Sequence, residues 1–128
     1  MYKKVLIAMI GFTLLSIFLA ACKIEDTASL SAGPQVKMGS SNFIDKTITI
    51  KKGESITLVD TVNSPHVISN GTWDGTTAKP NKEAGAPTVN GLNFGGGDSK
   101  SVGPFTTAGT FQLYCTIHQG MNLTVTVQ

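Results

Sequence analysis

The chain has 128 residues and a formal net charge of +2, a surplus carried entirely by Lys3 and Lys4. With those two set aside, lysines and acidic residues balance and there is no arginine. That composition offers no basic stripe for a phosphate backbone and argues against nucleic acid as a partner, and two histidines are too few for a multinuclear histidine-ligated metal enzyme.

Lys3 and Lys4 precede an apolar run from Val5 to Ala21, interrupted only by Gly11, Thr13 and Ser16. The run is shorter than the ~20 residues a membrane-spanning helix needs and has the layout of a signal peptide. It closes on Leu19-Ala20-Ala21-Cys22, which resembles the lipobox of bacterial lipoproteins. The resemblance implies removal of residues 1–21 and acylation of Cys22 on its thiol and new amino group. The domain is then expected to be exported and membrane-anchored, facing the periplasm or the cell exterior. An uncleaved anchor helix is the competing reading.

Once Cys22 is assigned to lipid, Cys115 has no internal disulfide partner in a compartment that would favour one. It is therefore a free buried thiol, an intermolecular partner or a ligand. Residues 22–35 are small and polar with little apolar periodicity and read as a flexible tether, spanning on the order of 40 Å at ~3.1 Å per residue if extended. The remaining segment, 36–128, is long enough for a single-core domain without covalent staples.

From Val36 onward the signals are those of strands. Thr47-Ile48-Thr49-Ile50 alternates polar and apolar, Lys52-Gly53-Glu54 marks a turn, and Ser55-Ile56-Thr57-Leu58 resumes the alternation. Pro65 opens a short segment, His66-Val67-Ile68. From Asn70 to Lys100 the chain is rich in Gly, Asn, Thr and Pro, with Trp73, Val89, Leu92 and Phe94 as scattered apolar anchors. Long loops and one irregular strand are expected there, with Trp73 as a loop anchor. No sustained helical period follows the tether, so the fold class is all-β, a two-sheet sandwich.

Strand parity organises the C-terminal third, because side chains alternate faces with period two. Phe111, Leu113 and Cys115 share one face of the strand from Thr110 to Cys115, with Thr110, Gln112 and Tyr114 opposite. Leu123, Val125 and Val127 line one face of the last strand, and Met121 continues that parity. Both sulfur residues thus sit where inward-facing rows meet a tight loop, and His118 rides on the loop between them.

Cys115, His118 and Met121, read with Ser64-Pro65-His66 upstream, gather one thiolate, two imidazoles and one thioether. This is the ligand set of a mononuclear blue-copper electron-transfer site, and it uses both histidines of the chain. Soft sulfur ligands favour Cu(I) and imidazole suits both oxidation states, so little rearrangement accompanies gain of an electron. Structural zinc sites rarely include methionine, which favours copper. Singly, a buried cysteine or methionine is ordinary core; the conjunction of four ligands is not. Asn70-Gly71-Thr72 and Asn122-Leu123-Thr124 match the glycosylation pattern, which a bacterial origin makes incidental.

Residues 36–128 resemble a cupredoxin of the plastocyanin and amicyanin group, with a histidine after proline and a C-terminal loop carrying Cys, His and Met. The resemblance implies a Greek-key β-sandwich binding one copper ion that cycles between Cu(I) and Cu(II). By position, His66 is the upstream ligand, Cys115 the thiolate, His118 the second imidazole and Met121 the axial thioether. The short spacing from His118 to Met121 is closer to amicyanins than to plastocyanins. Two residues depart from the pattern: Val67 stands where asparagine usually fastens the ligand loops, and Ile117 where many relatives have proline. Second-shell groups tune a metal site, so these departures bear on the redox potential rather than on the ligand set.

The expected function is therefore a monomeric, non-enzymatic carrier of single electrons between redox protein partners. His118 would be reached through an apolar collar of Pro65, Ile117 and the glycines at Gly95–Gly97. Copper storage, delivery or sensing is the alternative; a thiol enzyme built on Cys115 is a third reading, opposed by the parity that buries the thiol.

Overall fold

The computed structural model describes residues 33–128. The expected signal peptide, Cys22 and most of the expected tether lie outside the described residues. No helix among the described residues is long and apolar enough to cross a membrane.

Nine strands form: β1 (Gln35–Met38), β2 (Thr47–Ile50), β3 (Ile56–Asp60), β4 (His66–Asp74), β5 (Thr77–Pro80), β6 (Leu92–Phe94), β7 (Ser99–Val102), β8 (Gly109–Cys115) and β9 (Asn122–Val127). The expected all-β, two-sheet architecture is present. One sheet has the order β1-β3-β7, with β1 parallel and β7 antiparallel to β3. The other runs β2-β9-β8-β4, with β5 and β6 both paired to β4. β1 begins one residue earlier than the expected domain boundary: Gln35 pairs with Thr57, and the Pro34 carbonyl accepts from the Thr57 amide at 2.8 Å. Pro34 and Gln35 therefore take part in the sheet.

The alternation read in the sequence becomes the core. In β3, Ile56, Leu58 and Asp60 face inward while Thr57 and Val59 are half-buried. In β9, Leu123, Val125 and Val127 are buried and the intervening residues are not. Val36 and Met38 from β1, Ile50 from β2, Phe111 and Leu113 from β8, and Phe105 fill the space between the sheets. Phe105 and Phe111 pack with ring centroids 5.7 Å apart. Each fully buried aliphatic side chain of this kind stabilises the fold by roughly 1.5–3 kcal/mol.

The region from Asn70 to Lys100 is a correction to the sequence reading, because it is more regular than expected. β4 runs nine residues by serving three neighbours in succession: β6 against His66–Ile68, β8 against Ile68–Asn70, and β5 against Gly71–Asp74. β5 is exposed along its whole length and carries no apolar alternation that a sequence reading could detect; its backbone pairing alone makes it a strand.

The β4–β5 hairpin has a further consequence for Tyr114. Its parity places it opposite Cys115, on what would be the solvent face, yet it is 3% exposed. Gly71, at φ +131°, lies under the ring: a Cβ there would sit 2.8 Å from Tyr114 Cε1 and 2.5 Å from the Lys79 carbonyl. Trp73, in β4 rather than in a loop, closes over the same ring edge-on at 6.1 Å. The second face of β8 is thus covered where it reaches the ligand loop.

Candidate metal centre

β8 and β9 form an antiparallel pair whose register runs from Gly109–Val127 to Tyr114–Asn122. Between them the turn is closed by backbone bonds from the Cys115 amide to the Met121 carbonyl, 3.0 Å, and from the Met121 amide to the His118 carbonyl, 3.1 Å. Gly120, at φ +76°, supplies the left-handed residue such a turn needs. Cys115 and Met121 are consequently buried at 0% and 1% exposure, as parity required. His118 is half-buried and Ile117 is 52% exposed.

His66 comes from the first position of β4 and is fully buried. Its neighbour Val67 has no polar side chain, and backbone groups tie the two ligand segments together. The Val67 amide points at Cys115 Sγ from 3.4 Å, and the Thr116 amide donates to the Val67 carbonyl at 2.8 Å. Both contacts run between the segment that carries His66 and the segment that carries Cys115, so the two are fixed to each other next to the sulfur.

Donor atoms of His66, Cys115 and His118 all lie within 4.8 Å of one another. Cys115 Sγ is 3.5 Å from His118 Nδ1 and 3.9 Å from His66 Nδ1, and the two imidazoles meet edge-on at 5.0 Å. With metal–sulfur bonds of ~2.3 Å and metal–nitrogen bonds of ~2.0 Å, trigonal angles put sulfur and nitrogen roughly 3.7 Å apart, between the two observed distances. The three residues fit one metal ion as they stand. Met121 is buried at the end of the same loop, its backbone bonded to those of Cys115 and His118.

Burial holds the His66 imidazole below its ordinary pKa; Asp60 opposes that shift, His118 adds to it, and the Gly39 backbone acts in the same direction as Asp60. The balance keeps His66 neutral, as a ligand must be. Asp60 was not singled out in the sequence. Its only signal there is inward parity in β3, which by itself would have suggested a misplaced polar residue.

Around the cluster, side chains that sequence motifs had left ambiguous are structural. The Trp73 indole N–H donates to the Cys115 carbonyl at 2.8 Å, which anchors the thiolate residue from outside. Asn122 exchanges two hydrogen bonds with the Trp73 backbone, at 2.7 and 2.9 Å. Asn70 is buried and bridges the Val89 amide and the Pro87 carbonyl. Both glycosylation-like asparagines are therefore committed to internal bonds. Pro65 and Gly95–Gly97 are exposed, and the glycine turn lies against the loop before His66: a Cβ on Gly96 would come within 2.5 Å of Asn63 Oδ1.

Comparison with known proteins agrees with this geometry. The sequence profile of copper-binding proteins of the plastocyanin/azurin family matches residues 31–128. A chloroplastic plastocyanin of Chlamydomonas reinhardtii is 31% identical over 101 residues, covering 76% of this chain and 67% of that protein. Among solved structures, amicyanin from Paracoccus versutus superposes with a TM-score of 0.58 at 20% identity, covering 77% of this chain and 83% of amicyanin. A reduced amicyanin point mutant gives 0.57 at 21% identity, with coverage of 75% and 82%.

Proposed function

Since this chain belongs to the plastocyanin/azurin family of copper-binding proteins, we propose that His66, Cys115 and His118, with Met121 as axial thioether, hold one copper ion and that the protein carries single electrons between redox partners. The observation that carries this reading is the convergence of two imidazole nitrogens and one thiolate sulfur within 4.8 Å on a rigid β frame. Bound copper supplies one-electron chemistry by alternating between Cu(II) and Cu(I).

The chain's own residues provide the rest. Cys115 and His66 are sealed from water, so the donor set is fixed by packing and not by the metal's preference. Val67 and Thr116 lock the two ligand segments together through backbone bonds, and a site held in this way changes little between oxidation states. His118 alone among the three is not fully buried, and the residues that precede the two histidines, Pro65 before His66 and Ile117 before His118, are exposed and apolar. That patch is where a partner docks and the electron passes. With lysines and acids in balance, docking relies on apolar contact more than on electrostatic steering.

The protein catalyses no substrate transformation of its own. Copper storage or delivery would favour exposed methionines or histidines, and Met38 is fully buried while both histidines belong to the site. The N-terminal pattern supports export, cleavage before Cys22 and lipid anchoring, so that residues 22 to about 33 tether a monomeric domain to the outer face of a membrane.

The optical and electron paramagnetic resonance spectra of the protein with one equivalent of Cu(II) test the reading. An intense red-end absorption with narrow copper hyperfine splitting is expected. An ordinary cupric spectrum would remove the electron-carrier proposal and favour copper handling.

A further inference from the structure

Asp60, the last residue of β3, is the one acidic residue in the buried interior of the described chain, at 2% exposure with its side chain fully enclosed. Its Oδ1 accepts from the Val62 amide at 3.1 Å and stands 3.9 Å from His66 Nε2, the ring nitrogen that faces away from the cluster of donor atoms. Asp60 Oδ2 has no hydrogen-bond partner, and His66 Nε2 has none of full geometry, the Gly39 backbone being the other group besides Asp60 that favours a proton on this ring. The backbone cannot carry the carboxylate out to water: the Asp60 amide donates to the Asp98 carbonyl at 2.8 Å, Asp60 pairs in register with Met38, and Thr61 is tied to the Met38 carbonyl by both its amide and its hydroxyl. Among the described residues no lysine forms an ion pair with it; Lys79 and Lys100 pair with Asp74 and Asp98 instead.

A carboxylate enclosed without a cation costs several kcal/mol, and an apolar residue at this inward position of β3 would avoid the cost. Beside the Val62 amide, the group near it that can offset this is the His66 imidazole, and more fully an imidazole carrying a metal ion on its other nitrogen. Carboxylates in that position fix the tautomer of a ligating histidine and raise its basicity.

We propose that Asp60 is a positioning residue for the metal site: its carboxylate holds the proton of His66 on Nε2, leaving the Nδ1 lone pair for the metal, and its charge favours the more highly charged oxidation state, lowering the reduction potential. At 3.9 Å the pair is in electrostatic contact and outside hydrogen-bond range, so the charge acts on the ring whether or not the bond shortens. The inference rests on the copper reading of the site, and two of its three tests use no copper.

Asp60→Asn keeps the oxygen for the Val62 amide and removes the charge. In the copper-loaded full chain it should lower the ratio of Cu(II) to Cu(I) affinity about tenfold, an upward shift of about 59 mV for a one-electron couple. Asp60→Leu removes the acceptor as well, and should weaken Zn(II) binding by about 10- to 100-fold in competition with a chromophoric chelator. Nitrogen-15 NMR of the metal-free native chain should find His66 as the Nε2–H tautomer. A native His66 protonated on Nδ1 overturns the proposal even if neither variant folds, and so does an Asp60→Asn potential equal to the native one. A native chain that binds Zn(II) tightly with the expected tautomer but gives no blue copper spectrum would sink the electron-carrier reading while leaving the positioning role of Asp60 standing.

Discussion

Replacing Ile117 with aspartate should slow electron exchange while leaving the domain folded. Ile117 is 52% exposed and precedes His118 on the ligand loop, so the substitution touches no core contact and should change stability by no more than about 0.5 kcal/mol. Fully burying an isoleucine side chain contributes about 1.5–3 kcal/mol. Covering the exposed half in a docked complex is therefore worth roughly 0.8–1.5 kcal/mol, or about a 4- to 13-fold change in encounter stability. In self-exchange both copies present the patch, so the two losses add to roughly 1.5–3 kcal/mol and a decrease in rate of one to two orders of magnitude. Line broadening in NMR spectra of mixed oxidised and reduced protein measures this rate directly. The visible spectrum and denaturation midpoint of the same samples verify that site and fold are intact. An Ile117→Asp protein that self-exchanges at the native rate would show that electrons leave by another surface, and the docking role of the Pro65–Ile117 patch would have to be abandoned.

Three further outcomes are expected. Cys115→Ser should abolish the thiolate-to-copper absorption while the domain still folds, at a cost of about 1–3 kcal/mol for enclosing a hydroxyl; strong blue colour in that variant refutes Cys115 as the thiolate. Met121→Gln should retain copper and lower the reduction potential, because an oxygen donor stabilises Cu(II) relative to a thioether, and a raised potential in voltammetry counts against Met121 as the axial ligand. Without metal, the protein should lose stability as pH falls below about 6.5: burial lowers the pKa of His66 in the folded state, so the unfolded chain binds the proton first and stability is drawn down by up to about 1.4 kcal/mol per pH unit until the folded pKa is reached. Denaturant titrations at pH 7 and 5.5 measure the slope. A slope equally steep in His66→Gln would assign it to other groups.

The candidate ligand set could be read in the sequence because it rests on residue chemistry and on strand parity, both local properties, and the structure brings His66, Cys115 and His118 of that set together. Period-two alternation is enough to turn Cys115 and Leu113 inward together, and it carries Met121 to the same face as Leu123. The fold class followed from the same alternation in β2, β3 and β9. What alternation cannot encode is which strand lies beside which. β5 has no apolar face at all, so its pairing with β4 and the enclosure of Tyr114 had no local signature. Trp73 was visible as an apolar anchor, but the partner of its indole, the Cys115 carbonyl, lies 42 residues away in the chain.

The sequence by itself determined the kind of metal this protein can hold, since two imidazoles, a thiolate and a thioether define a donor set wherever they converge. Only the tertiary structure decided how that set is held. It showed that backbone groups at Val67 and Thr116 tie the ligand segments together, because a backbone N–H or C=O is available at every non-proline position and its use is set by register. It also showed that Asp60 faces His66, because β3 and β4 bring together residues whose proximity neither strand's own pattern contains.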